Sequence, residues 1–157
     1  VPLVKQDSLL PRTGIHTKPG LAYEYYEHPD FRGEGWSLMK PVRTGVNPRI
    51  TLEPCQTKNA GFGIKYQGYI DVPAEGLYTF WLRCSPRGEL FIGDDHRWVL
   101  ESQSRRRENS NRIALKAGRH PVEFRIFYRS DVDRTLEIDY AGPGIDRQPI
   151  PAGVLSH

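Results

Sequence analysis

The sequence predicts an all-β protein of antiparallel strands, arranged as a barrel or a sandwich. Three observations support this prediction. Apolar side chains recur at every second residue in several segments, most clearly at 64–72 and 122–128. Turn-forming residues separate the segments at intervals of about 8–12 residues, which is typical of such folds. No segment carries the i, i+3, i+4, i+7 spacing of apolar residues that an amphipathic helix needs.

The composition agrees with one globular domain. The chain has 157 residues, 38% of them hydrophobic and 26% charged, with a net charge of +3. This length matches the ~100–200 residues of a single domain. The sequence has no apolar stretch of about 18 residues, so we expect no membrane insertion. Nucleic acid is not an expected partner, because the small positive excess is not gathered into a basic stripe.

The N-terminal segment differs from the rest of the chain. Residues 1–18 hold several turn-forming residues and no regular period, so they are predicted to be a linker or leader segment ahead of a β-domain at 19–157. The domain opens with the aromatic segment 21–26, whose composition is typical of a strand. Residues 28–59 contain many glycines and prolines, which predicts a long irregular connection with at most one short strand.

The remaining chain predicts short strands joined by turns. Segments 63–72 and 77–82 form a hairpin, because the intervening proline presets a turn conformation and the glycine accepts a positive φ. A polar loop is predicted at 101–111. Further strands are predicted at 89–92, 96–100, 112–115, 122–128 and 135–140, with turns at 85–88, 93–95 and 116–121. Six aromatic residues of these strands are assigned to the core: Tyr66, Tyr78, Phe80, Phe91, Phe124 and Tyr128.

Residues that often carry catalysis or bind metal form no recognisable pattern. The five histidines are scattered, and Cys55 and Cys84 lack the clustered spacing of a zinc site. Two thiols are the favoured state of this cysteine pair, and one disulfide is the alternative. Ser85, Asp94 and His96 lie close in sequence, yet nothing marks Ser85 as a nucleophile. We therefore expect no enzymatic activity.

Five segments together resemble the PA14 domain family. The hairpin at 68–80, with the sequence Gly-Tyr-Ile-Asp-Val-Pro-Ala-Glu-Gly-Leu-Tyr-Thr-Phe, is similar to the signature of that family. Four further segments agree with it in order and spacing: 19–26, 89–93, 115–122 and 136–143. The resemblance covers about residues 19–143 and implies a β-barrel or sandwich of antiparallel strands.

The resemblance also implies a function. Members of the family accompany glycosidases, sulfatases, adhesins and toxins, and their usual proposed role is carbohydrate binding. It thus implies a non-catalytic glycan-binding module of an exported bacterial glycoside hydrolase or sulfatase, located at the cell surface, in the periplasm or outside the cell. The partners would be a polysaccharide and the catalytic domain of the same parent chain. The alternative is a structural spacer or protein-interaction module without a ligand.

One departure from the family concerns calcium. Sugar-binding adhesins of the family hold a calcium ion through two adjacent aspartates that follow the strand matching 78–80. The corresponding positions here are Ser85 and Pro86, followed by Arg87. A hydroxyl and a prolyl ring do not replace two carboxylates, and a guanidinium repels a cation. The sequence therefore predicts no metal and no other cofactor, and the loss of the acidic pair favours the spacer alternative.

Candidate binding residues are expected around the loop at Ser85. Exposed aromatic rings and polar side chains suit the recognition of sugars, and the family places its binding end there. Arg87 together with the run 105–107 would favour an acidic glycan, since guanidinium groups bind such anions bidentately. The alternative is a weak surface pair of Arg87 with Glu89 or Asp94. The candidate residues are Arg87, Asp94, Asp95, His96, Trp98 and Trp36.

Overall fold

The computed structural model describes residues 17–27, 40–55, 61–85, 87–102, 108–128 and 135–157. These residues form eleven strands and one short 3-10 helix, Ala152–Val154. The strands are β1 (Leu21–Glu27), β2 (Arg43–Asn47), β3 (Phe62–Val72), β4 (Gly76–Ser85), β5 (Arg87–Ile92), β6 (Arg97–Glu101), β7 (Asn109–Leu115), β8 (Gly118–Tyr128), β9 (Thr135–Gly142), β10 (Ile145–Pro149) and β11 (Leu155–Ser156).

The described strands form two antiparallel sheets. The larger sheet has the order β2-β1-β3-β8-β5-β6, and β11 also pairs with β3. The smaller sheet has the order β10-β9-β4-β7. The all-β prediction is confirmed, and of its two arrangements the structure adopts the sandwich, because the described strands form two separate sheets rather than one closed barrel.

The core lies between the sheets and follows the period-two pattern. On β3, Ile64, Tyr66 and Ile70 are fully buried and share one apolar cluster with Phe80 of β4. Buried tyrosine hydroxyls need partners, and that of Tyr66 donates to the Thr51 carbonyl oxygen at 2.6 Å. The predicted core aromatics are all buried. Phe91 is buried but does not belong to the core between the sheets. It lies opposite Glu123, and its side chain is on the outer face of the larger sheet.

Several predicted turns are strands, because pairing with distant segments extends them. The predicted turn at 85–88 is instead the place where the chain passes from the smaller sheet to the larger one. Ser85 still pairs with Thr135 on β9, while Arg87 already pairs with Phe127 on β8. The expected strand start at His96 is also wrong, since His96 belongs to the turn that precedes β6.

Two predicted loops are shorter than expected. Within the predicted loop 101–111, β7 begins at Asn109, because Asn109 pairs with Leu82 on β4. Within the predicted turn 116–121, β8 begins at Gly118, whose φ of 115° allows the sharp reversal. The expected irregular connection does contain one short strand, β2.

The two ends of the described domain meet beside β3. Lys18 and His157 exchange two backbone hydrogen bonds of 2.9 Å, and Pro19 forms a bridge with Ser156. Close packing of β11 on β3 requires Gly68, because a Cβ atom there would collide with the carbonyl oxygen of Ser156. Most of the predicted leader 1–18 lies outside the described residues, so this boundary stays a prediction.

Two further sequence expectations concern thiols and membranes. No disulfide joins Cys55 and Cys84, which agrees with the favoured expectation of two thiols. Burial raises the pKa of the Cys84 thiol to about 12, which makes it unreactive near neutral pH. In the part of the chain that the structure describes, no helix has the length and apolar character to span a membrane.

Candidate functional site

A row of side chains crosses the outer face of the larger sheet. The strand register places Trp98 of β6 opposite Phe91 of β5, Phe91 opposite Glu123 of β8, and Glu123 opposite Gln67 of β3. Neighbouring strands lie about 4.8 Å apart, so this row extends over about 14 Å. Side chains that alternate with the buried core residues thus meet on one exposed surface.

An open cleft of about 450 Å³ lies along this row. Strands β3 and β8 form its floor, and the turn 93–96 and the C-terminal residue His157 border it. Its polar and aromatic side chains are Gln67, Tyr69, Phe91, Asp94, His96, Glu123 and His157. The cleft is defined here by these seven residues and is called the outer cleft below.

Glu123 is the centre of the hydrogen-bond network in the outer cleft. Only 9% of its side chain is exposed. Its Oε1 atom accepts a hydrogen bond from Gln67 Nε2 at 2.8 Å. Its Oε2 atom accepts one from His96 Nε2 at 3.0 Å and another from Arg125 Nε at 2.5 Å. Both carboxylate oxygens are therefore held by donors from three different segments.

This network keeps Glu123 ionised. Burial of the carboxyl group has the largest effect and raises its pKa. Hydrogen bonds from Gln67 and His96 act in the opposite direction, as do the positive charges of Arg125 and Lys65. Together they outweigh burial and hold the pKa of Glu123 below its ordinary value.

His96 is held in an unusual backbone conformation. Its φ is 53°, in the left-handed region that residues with a Cβ atom rarely adopt. Its backbone N–H donates to the Gly93 carbonyl oxygen at 3.0 Å, and Gly93 N–H donates to the Pro121 carbonyl oxygen at 2.9 Å. The imidazole stacks on the Phe91 ring with centroids 4.1 Å apart and planes at 8°. Backbone and ring contacts thus fix the imidazole beside Glu123.

The structure brings some of the predicted site residues together. Asp94 and His96 line the outer cleft. Asp95 is exposed in the same turn and lies 3.6 Å from the Arg97 guanidinium. Trp98 is 50% exposed on β6, next to the cleft in the row described above. Trp36 and the arginines 105–107 lie outside the described residues, and the binding roles of all these residues stay predictions.

The expectation that Arg87 meets the acidic turn is wrong. Arg87 begins β5 and the turn 93–96 follows its end, so about 17 Å of strand separates them. The Arg87 guanidinium lies 3.9 Å from Glu101 and 5.3 Å from the centre of the Phe127 ring. Its anionic partner is therefore Glu101, rather than Glu89 or Asp94. For the same reason, the outer cleft is not at the Ser85 end of the sandwich.

The expectation that the Ser85 end holds no calcium ion stays a prediction, because Pro86 lies outside the described residues. Ser85 closes β4 and Arg87 opens β5. Among the described residues, no group of three or more histidine, cysteine, aspartate or glutamate side chains is placed to hold a metal ion. Calcium needs several oxygen ligands in one place, so the prediction rests on the sequence at Ser85 and Pro86.

Five residues of the outer cleft were not predicted as site residues: Gln67, Tyr69, Phe91, Glu123 and His157. The sequence did contain a signal for Glu123. It lies between the core residues Val122 and Phe124 of the predicted strand, so the period of two places its side chain on the outer face of the sheet. Gln67 and Tyr69 alternate with core residues in the same way. Nothing in the sequence marks His157, which reaches the cleft only because β11 pairs with β3.

The geometry defines a class of protein: an antiparallel β-sandwich module with an open polar cleft on one sheet face. A sequence model of the PA14 domain matches residues 17–153, and the chain belongs to the PA14 domain family. The resemblance noted in the sequence is thereby confirmed. A comparison with curated proteins finds no match.

Solved structures share this fold. The PA14 sugar-binding domain from an RTX adhesin superposes with a TM-score of 0.68 at 15% identity, covering 88% of this chain and 98% of that one. The epithelial adhesin 6 A domain from Candida glabrata, in complex with Galβ1-3GlcNAc, gives 0.72 at 14% identity, covering 90% and 88%. An anti-sigma factor domain-containing protein from Clostridium clariflavum gives 0.69 at 24%, covering 87% of this chain and 47% of that one. The chain thus spans about half the length of that protein.

Proposed function

We propose that this chain is a non-catalytic carbohydrate-binding module and that a glycan occupies the outer cleft. The observation that carries the proposal is the preformed network in which Glu123 holds Gln67 and His96 in place. Binding sites gain affinity when their polar groups are already ordered before the ligand arrives. Sugar-binding adhesin domains with the same fold support the ligand class.

The state of Glu123 supports a binding role rather than catalysis. Hydrolysis of a glycosidic bond needs one carboxyl group that carries a proton, usually with a raised pKa. The pKa of Glu123 is lowered instead, and both of its oxygens already accept hydrogen bonds. As an ionised and fully engaged carboxylate, Glu123 positions its neighbours and does not act as a proton donor.

We further propose that the module belongs to an exported bacterial glycoside hydrolase or sulfatase and works outside the cytoplasm. Membership in the PA14 family and the adhesin domains among its structural neighbours support this context. Lys18 and His157 pair side by side, so both ends of the described domain lie at the edge of the cleft. A neighbouring catalytic domain joined there would receive polysaccharide held by the module.

Binding to a glycan array tests the proposal. We expect retention of neutral glycans, and a loss of roughly fivefold in affinity for Gln67→Ala, the cost of about one hydrogen bond. Gln148→Ala is the matched control, because Gln148 is exposed on the smaller sheet, away from the cleft. Absence of binding to every glycan would favour the second candidate, a spacer without a ligand.

The spacer candidate rests on one specific sequence difference, Ser85 and Pro86 at the positions where sugar-binding adhesins of the family carry two aspartates. Comparing the parent enzyme with and without this module on soluble and insoluble polysaccharide separates the two functions. A binding module accelerates hydrolysis of the insoluble substrate only. A spacer has the same effect on both substrates.

A further inference from the structure

We infer that the outer cleft selects uncharged, hydroxyl-bearing glycans and rejects acidic ones. This inference rests on the proposed function and concerns the class of sugar that the cleft takes. It follows from the hydrogen-bond polarity of the side chains that line the cleft. They present acceptors, so the ligand must bring donors.

The first acceptor is the imidazole of His96. Its Nε2 atom faces the ionised carboxylate of Glu123 at 3.0 Å, so Nε2 carries the hydrogen of the bond. In a neutral imidazole the other ring nitrogen is then an acceptor. The stacking on Phe91 holds the plane of the ring in this position. His96 therefore offers an Nδ1 lone pair to a ligand.

The second acceptor is the imidazole of His157. Its Nδ1 atom lies 2.9 Å from the carbonyl oxygen of Gly20, which accepts only, so Nδ1 is the donor. In the neutral ring, Nε2 is the remaining acceptor. The two imidazoles thus carry their hydrogen on different ring nitrogens, but each offers one acceptor nitrogen to a ligand.

The charged side chains of the cleft also favour an uncharged ligand over an anionic one. Asp94 and Glu123 are its acidic residues, and no lysine or arginine is among the described residues that line it. A carboxylate accepts hydrogen bonds and repels a sulfate or a uronic acid. The Gln67 amide already donates to Glu123, which leaves its oxygen and one hydrogen for a ligand. The lining itself is therefore acidic, although Arg125 and Lys65 act on Glu123 from beside the cleft and the whole chain has a net charge of +3.

Two guanidinium groups border the cleft, and one of them is paired with the Glu123 carboxylate. Arg125 donates to Glu123 and lies 4.9 Å from the centre of the Phe91 ring. Arg119 lies 5.7 Å from the centre of the Tyr69 ring. An acidic glycan would have to draw Arg125 away from a buried carboxylate, which would leave Glu123 without its cationic partner. The arrangement thus disfavours acidic ligands at the cleft itself.

The experiment compares uncharged and acidic probes on the same chain at 150 mM salt. The uncharged probes are lactose, cellobiose and diacetylchitobiose, and the acidic probe is a heparin oligosaccharide. We expect binding of at least one uncharged probe and none of heparin. For that probe, Asp94→Asn weakens binding roughly tenfold, because a charged acceptor is replaced by an amide. Asp146→Asn, the same change on an exposed residue of β10 in the smaller sheet, has no effect.

The outcomes separate the inference from the proposed function. Binding of heparin in preference to all three uncharged sugars overturns the inference and leaves carbohydrate binding intact. Equal losses for Asp94→Asn and Asp146→Asn also overturn it, because they would show an effect of net charge rather than of a contact in the cleft. Binding of no probe at all contradicts both the inference and the proposed function.

Discussion

The Nε2 atom of His96 lies 3.0 Å from Oε2 of Glu123, which connects a turn to the neighbouring strand β8. His96 holds a left-handed backbone conformation, and Glu123 is a buried carboxylate on the outside of a sheet. Each is costly alone, since strained backbone and buried charge both reduce stability. The hydrogen bond between them offsets part of the backbone strain and part of the cost of burying the charge. It also holds the two side chains in fixed positions at the edge of the cleft.

The backbone of His96 predicts an unusual order of stability among its variants. Both His96→Gly and His96→Ala lose the ring contacts, but only glycine adopts a φ of 53° without a steric cost. We expect His96→Gly to be more stable than His96→Ala by about 1 kcal/mol, the lower bound for a residue with a Cβ atom in this region. Urea unfolding of the two variants measures the difference. An alanine variant as stable as the glycine variant would show that the turn is not strained.

The lowered pKa of Glu123 predicts how stability depends on acid. In the unfolded chain this carboxyl has its ordinary pKa of 4.5, and in the fold its pKa is lower. Its ionised contacts therefore contribute their full stability above pH 4.5, and the contribution is lost as the pH falls through the folded-state value. We expect Glu123→Gln to be less stable than the wild type at pH 7 and to lose less stability between pH 5 and pH 2. Parallel acid dependences of both proteins would contradict this.

The alternation of β3 and β8 made their core residues predictable, because burial against the other sheet imposes the period of two. The binding surface was harder to predict. Gln67 and Glu123 are 56 residues apart, and only the pairing register brings them opposite each other. Arg87 and Asp94 are close in the sequence, but the extended strand β5 lies between them, so they are found near its opposite ends.

The strand β11 was also not predicted, since two residues carry no periodic signal. It depends on Gly68, where a Cβ atom would meet the Ser156 carbonyl oxygen and lie 2.6 Å from Leu21 Cδ2. We expect Gly68→Ala to reduce the free energy of unfolding by about 1–3 kcal/mol through overpacking. Gly153→Ala is the control, because nothing lies within 4 Å of a Cβ atom there. Equal stabilities of both variants, measured by thermal unfolding, would exclude tight packing of β11 on β3.

The donor set at the Ser85 end predicts that ligand binding does not depend on calcium. We expect EDTA to leave glycan affinity unchanged, and titration calorimetry with calcium chloride to show no tight binding. The recognition expected here uses direct hydrogen bonds between the sugar and Gln67, Asp94 and His96. Tight calcium binding that Ser85→Ala abolishes would show that the family site is retained.

The most direct test of the account is where a bound glycan contacts the chain. Backbone amide chemical shifts, measured while a binding sugar from the array is titrated, report this position residue by residue. We expect the largest changes at 67–69, 93–96 and 122–123, which surround the outer cleft. Changes confined to 83–85 and 135–137, at the Ser85 end, would contradict the central claim that the sugar binds on the outer face of the larger sheet.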